Sequence, residues 1–339
     1  MNRRWARRAR WLVALAVTLP AGGAVPQPPA ERVPLAAHSL LLAIAQAGAR
    51  LVAVGDRGII VLSDDQGGSW VQAVLVPTQA LLTGVCFLDA QHGVAVGHDE
   101  VILVTADAGR TWQRTHYAPE AQRPLLDVWC GSGGQLIAVG AYSAYFSSGD
   151  GGASWQEQKF SPAAPVAAPR SRSPAADAGA DEPPRNDYHL NRIVAASDTR
   201  LYIAAEAGHL YRSDDGGASW RTLTSPYAGS FFGVLPLGDT ALLAFGLRGN
   251  LYRSEDAGAS WRRLESGTVA MLDGAAHEGG RAVVIVGLSG VLLASSDDGH
   301  SFTLLQQADY SGLAAVVAAA GGALVAVGED GARRIAAAR

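Results

Sequence analysis

The sequence predicts an all-β fold, a seven-bladed β-propeller with four-stranded antiparallel blades closed by an N-terminal strand, and three observations carry that expectation. An eight-residue box, Ser/Thr-x-Asp-x-Gly-x-Ser/Thr-Trp, returns along the chain: five complete copies end at Trp70, Trp112, Trp155, Trp220 and Trp261, and a sixth ends at Phe302. Successive ends are 42, 43, 65, 41 and 41 residues apart. The unit is therefore about forty residues with one insertion of roughly two dozen, a period of propellers and solenoids. Each box also stands between apolar runs, and upstream of it lies a β-rich run, usually ended by Gly, as in residues 51–55 and 136–140.

Taken in order, residues 1–24 read as a signal peptide. Arg3, Arg4, Arg7, Arg8 and Arg10 precede an apolar run too short for a bilayer helix, and Gly22, Gly23 and Ala24 offer a small-residue cleavage site. The mature chain, 25–339, is then one repetitive domain, exported and soluble in a periplasmic or lumen-like space. Residues 31–36 are expected to supply the missing outer strand of the last blade, because the Gly-ended run appears once more after the last box, at 323–328, to make seven blades, and the sequence stops at Arg339 before a further outer strand. Such closure would remove two open sheet edges.

Within each unit, four apolar segments give an inner, a second, a third and an outer strand, with the box as the turn between the last two. The box carboxylates, Asp65, Asp107, Asp150, Asp215, Asp256 and Asp297, suit turn capping, since Asp accepts bonds from its own turn's N–H groups and Gly takes positive φ freely. The closing aromatic is expected to fold over the turn and fix strand register. Residues 161–187 hold Pro162, Pro165, Pro169, Pro174, Pro183 and Pro184 with no apolar period, which predicts a disordered loop on the face opposite the box turns.

Composition narrows the chemistry. Cleavage would remove five of 27 basic residues and none of the 31 acidic ones, leaving 22 against 31, a net −9 that disfavours nucleic acid. Lys159 is the sole lysine, which reads first as coding bias and second as an arginine-based binding surface. The sequence holds neither Gly-Lys-Ser/Thr nor Gly-x-Ser-x-Gly nor His-Glu-x-x-His, so no catalytic residue, cofactor or metal is assigned. Cys86 and Cys130 occupy matching places in consecutive repeats, and the expected spacing of neighbouring blades favours two buried free thiols over a disulfide.

Arg57 and Arg248 fall in the same turn of blades one and five, while Arg192 begins the inner strand of blade four. Together they are the candidate partner-binding residues, able to hold an acidic segment through bidentate bonds. Arg212 and Arg253 are expected to lie across strand faces. Asp127 is the one carboxylate expected to point into the channel, with no second in view.

In its Val-Gly-x-x-Gly-x-Ile/Leu-x-x-Ser-x-Asp-x-Gly-x-Ser-Trp pattern, at residues 54–70 and 242–261, the chain resembles the photosystem II stability and assembly factor family. That resemblance implies a seven-bladed, non-enzymatic, monomeric helper. Its partner would be a membrane-protein complex or assembly intermediate in the cell envelope, in photosynthesis or with another envelope client. The rival expectation is a sialidase-like or glycoside hydrolase propeller, or a sugar-binding one, since such proteins share the box.

Overall fold

The computed structural model describes residues 28–164, 187–319 and 323–335. Among the described residues twenty-seven strands form seven antiparallel sheets, each following chain order from its inner to its outer strand. The inner strands are Leu41–Ala47, Leu82–Phe87, Leu125–Cys130, Leu190–Ala195, Phe231–Pro236, Leu272–Gly279 and Leu313–Ala318. Six blades have four strands, and the seventh has three among the described residues.

The second strand of each blade shows why the apolar runs are unbroken. Leu51, Val52, Ala53 and Val54 are all buried, but they alternate in what they touch. Val52 and Val54 join a core with blade two, while Leu51 and Ala53 join one with blade seven. Successive strand residues point to opposite faces, so a sheet sandwiched between two neighbours needs both sets apolar. Seven such cores, one per pair of adjacent blades, complete the ring among the described residues.

Every inner strand carries a bulge. Pairing with the second strand slips between Leu41 and Ala43, and at the same place in the other six blades. In six blades a Gly ends the second strand at this slip, with Ala205 in its place in blade four, and the Gly serves space rather than a turn. Gly55 has an extended backbone, yet a Cβ there would collide with the carbonyl of Leu40.

The box turns form one repeating hydrogen-bond set. In blade three, Asp150 Oδ1 accepts from Ser148 Oγ at 2.8 Å and Ser154 N at 3.0 Å, and Oδ2 accepts from Ser154 Oγ at 2.6 Å. The same three bonds surround Asp65, Asp107, Asp215, Asp256 and Asp297. Donation by Ser154 Oγ, then Ser154 N and Ser148 Oγ, pulls Asp150 down to about 2. A depressed carboxylate contributes stability that is complete above its unfolded pKa of about 4 and lost as pH falls through the folded value. The box carboxylates should therefore add no pH dependence to thermal melts between pH 7 and 5 and should lower them between pH 4 and 2. Asp150→Asn should flatten part of that acid slope.

The closing aromatic does more than fix register within its own sheet. Trp70 packs on blade seven, Trp112 on blade one, Trp155 on blade two, Trp220 on blade three, Trp261 on blade four and Phe302 on blade five. Each ring thus crosses to the preceding blade. The box Gly crosses with it: Gly109, at φ +84, would place a Cβ 3.1 Å from Leu62 and 3.4 Å from Val52 of blade one.

Arginines add a second clasp between blades. Arg50 holds Asp64 at 2.6 and 2.8 Å and donates Nη1 to Ala108 O in the box turn of blade two, at 3.2 Å. Arg212 reaches Ala257 O of blade five at 3.1 Å, Arg253 reaches Asp298 O of blade six at 2.5 Å, and Arg334 reaches Gln66 O of blade one at 2.9 Å. Arg212 and Arg253 therefore do not simply lie across their strands. A forked guanidinium can bond its own carboxylate and a neighbour's carbonyl at once, which an ammonium on a flexible stem does poorly. The arginine-rich composition has a structural use beyond coding bias.

Two expectations are corrected. Residues 31–36 do not add a strand to blade seven among the described residues. They run along the outer edge of blade one, where Val33 N donates to Gln72 Oε1 at 2.9 Å and Gln72 Nε2 donates to Glu31 O at 2.7 Å. The short 3₁₀ turn Ala36–His38 then lies against Gly331, which opens the last described strand of blade seven. Ring closure rests instead on the apolar core between blades seven and one and on Arg334.

Cys86 and Cys130 are joined in a disulfide, with Cα atoms 5.7 Å apart. Free thiols were expected because equivalent points on neighbouring blades were placed too far apart. Both cysteines sit on inner strands, which converge on the axis and come within bridging distance there.

Residues 1–27 and 165–186, with the stretch read as a signal peptide and most of the Pro-rich insertion, lie outside the described residues, as do 320–322 and 336–339. The start of the insertion is ordered: Ala163 N donates to Trp220 O at 2.8 Å and Thr222 N to Ala163 O at 2.9 Å, alongside the outer strand of blade four. Among the described residues no helix is long and apolar enough to cross a membrane.

Candidate functional site

Two places gather polar side chains that the fold does not consume. One is the face bearing the turns between second and third strands, and the other is the channel along the axis.

Six of those turns are 3₁₀ turns of one shape, with a left-handed residue in the middle: Arg57, Asp99, Tyr142, Ala207, Arg248 and Ser289. Left-handed backbone costs a side-chain-bearing residue about 1–2 kcal/mol, so non-glycine residues there stand out. Arg57 is 73% exposed, and its Nε donates to Asp56 at 3.0 Å. Arg248 is exposed in the equivalent turn.

The structure does not cluster the three chosen arginines. Blades one and five stand three places apart the short way round the ring, so Arg57 and Arg248 lie almost across the face from each other. Arg192 is inside the channel. Between blades three and four the same face opens into a groove of about 740 Å³, lined among others by Arg123, Tyr142, Lys159, Tyr188 and His209. Tyr188 and His209 stack there at 4.0 Å, and Arg123 bridges buried Glu100 at 2.6 Å and Glu157 at 2.8 Å. Arg123 was not singled out from the sequence, because its partners come from two blades.

In the channel, all seven inner strands line a cavity of about 240 Å³. The position just after the bulge is small in five blades: Ala43, Gly84, Gly233, Gly274 and Ala315. Asp127 and Arg192 hold it in the other two, with Arg192 Nε 3.9 Å from Asp127 Oδ2 and Ile193 N donating to that oxygen at 2.9 Å. Burial raises the Asp127 pKa, against the pull of Arg192 and the Ile193 N–H.

Asp273, of blade six, is the second channel carboxylate that sequence reasoning did not find. It is itself the bulged residue, one place earlier than the position aligned with Asp127. Burial lifts its pKa to about 6, opposed by Arg192. The only available signal was its place two residues after Met271 and directly after Leu272, which no periodicity marks as channel-facing. Among the described residues, no group of three His, Cys, Asp or Glu side chains could hold a metal ion.

Comparison with known proteins follows the same lines. A family model described as Photosynthesis system II assembly factor YCF48 matches residues 63–171, about a third of the chain, from the first box through blade three. The chain resembles the photosystem II assembly factor family. A structure of YCF48 bound to D1 peptide shares 16% identity and a TM-score of 0.68, covering 95% of this chain and 100% of that one. YCF48 from Cyanidioschyzon merolae gives 15% identity and a TM-score of 0.67, over 89% of this chain and 96% of that one. The propeller is also similar to the GH74 xyloglucanase from Xanthomonas campestris, at 17% identity and a TM-score of 0.63, over 87% of this chain and 52% of that one. At these identities the structures speak for the fold, and the YCF48 family model adds the local sequence pattern. No curated protein matches the chain.

Proposed function

We propose that this protein is an exported, non-enzymatic assembly factor that docks on a membrane-protein complex, or an intermediate of one, in the cell envelope. The observation that carries this reading is the full-length likeness to YCF48 bound to D1 peptide, together with the family match at residues 63–171. The face bearing Arg57, Arg248 and the groove between blades three and four suits an extended peptide. Its exposed guanidiniums offer forked donors to carboxylates, and its aromatics offer flat apolar contact.

Crosslinked capture from host envelope tests it, with Arg57→Glu/Arg248→Glu set against wild type after matched thermal melts. The expected result is at least a tenfold loss of one membrane-protein partner. Equal capture would discard this face as the docking surface.

Asp127 and Asp273 share the channel, and xyloglucanases share the fold, so a hydrolase is the second reading. A pair of carboxylates can serve as acid and base across a glycosidic bond. Turnover of xyloglucan or aryl glycosides that is abolished in Asp127→Asn would establish it, and absence of turnover would leave the assembly reading alone.

A further inference from the structure

We infer that the channel cavity is a binding site for a small organic monocation with an apolar body, such as a branched alkylammonium ion, whose charged head pairs with Asp273. This goes beyond the docking face, which lies outside the ring, and neither site needs the other.

Charge sets the sign of the ligand. Asp127, Arg192 and Asp273 are the titratable groups lining the cavity, and together they carry one excess negative charge when ionised. Arg192 and Asp127 already form a pair, and Asp127 has a backbone donor in Ile193. Asp273 accepts no hydrogen bond from any described residue, and it is partly buried in the channel wall. A partly buried carboxylate without a protein donor lacks some of its hydration, so a donor with a positive charge gains there both a hydrogen bond and an ion pair.

Shape sets the body of the ligand. The inner strand of blade five lies between blades four and six, and it contributes Val234 and Leu235, with Phe245 behind Gly233. Val194 and Val316 continue this apolar wall. A cavity of about 240 Å³, walled by apolar side chains and three charged ones that give it polar and apolar surface in similar measure, has room for a ligand smaller than most. The small residues after the bulge in five blades leave this space open, and larger residues there would fill it.

The raised pKa of Asp273 fixes the pH dependence. A group with a pKa of about 6 is ionised at pH 8 and about nine-tenths protonated at pH 5. The cation should bind about tenfold more weakly at the lower pH, with Arg192 and Asp127 both facing the group throughout.

The test is calorimetric titration of the full-length mature chain with isoamylamine at pH 8 and pH 5, beside isoamyl alcohol and isovalerate as neutral and anionic matches of the same body. The expected result is saturable amine binding at pH 8, a tenfold loss at pH 5, and no saturable binding of the alcohol or the acid. Asp273→Asn should lose at least tenfold while melting at or above the wild-type temperature at pH 8, since it removes an unpaired charge. Should that variant fold poorly, Val194→Phe narrows the cavity without touching a charge and should lose binding equally. No saturable amine binding, equal binding of the alcohol, or unchanged affinity in both variants would overturn the assignment.

Discussion

Replacing Trp112 by Ala is expected to cost about 3–5 kcal/mol, the range for deleting a large buried aromatic. Trp112 is the most completely enclosed of the box aromatics, at 1% exposure. Its indole packs in the core between blades one and two, meets Phe87 edge-on at 6.4 Å and donates Nε1 to Gly109 O at 2.9 Å. One substitution therefore empties a space between two blades and frees the carbonyl of its own turn. Chemical denaturation measures the loss, and Trp112→Phe gives the control. Phe302 fills the equivalent place in blade six, so a phenyl ring can bridge the blades, and that variant should recover more than half of the loss. A destabilisation under 1 kcal/mol for the alanine variant would show that the ring does not depend on its interblade aromatics.

Removing the disulfide comes next in size. Cys86 and Cys130 are 44 residues apart, and cross-linking a loop of that length restricts the unfolded chain by an amount worth about 4 kcal/mol in the chain-entropy description. Cys86→Ala/Cys130→Ala should lower the melting temperature by roughly 5–8 °C for a domain of this size. Wild type under reducing conditions should move in the same direction, and an unchanged melt in both would deny the bond a role in stability. A bond between blades two and three also makes these two the hardest to part. An oxidising compartment is needed to form it, which agrees with the export proposed above.

How much of this was legible in the sequence depends on whether the cause was local. The box, its period and its flanking apolar runs are local, and they led to the blade count, the strand order and the capping role of Asp150 and its equivalents. The disulfide was missed because linear spacing does not show that inner strands converge at the axis. The N-terminal stretch was misplaced for a related reason. An open strand edge on blade seven appeared to demand a partner, whereas Gln72 of blade one offers residues 31–33 a side-chain partner instead.

The candidate site was only partly legible. Arg57 and Arg248 were correctly put in equivalent turns, but the ring separates them, and Arg192 belongs with Asp127 and not with either. Asp273 was missed because a one-residue bulge shifts which side chain faces the channel, and nothing in the alternation of the inner strand announces a bulge. Arg212 and Arg253 were read within single strands, since the carbonyls they bond are 45 residues away.

Among the described residues the seventh blade has no box and the junction between blades six and seven no aromatic latch, which bears on how the ring can be opened. Six junctions carry an aromatic latch, whereas the junction between blades six and seven is closed by aliphatic side chains such as Val286, Leu313, Leu324 and Ile335. The chain's natural break, between blades seven and one, is by contrast latched by Trp70 and Arg334. Covalent continuity thus falls where packing is plainest, and packing is reinforced where continuity is missing. A circularly permuted chain cut between blades six and seven would have to hold its ends together at the one junction without a latch.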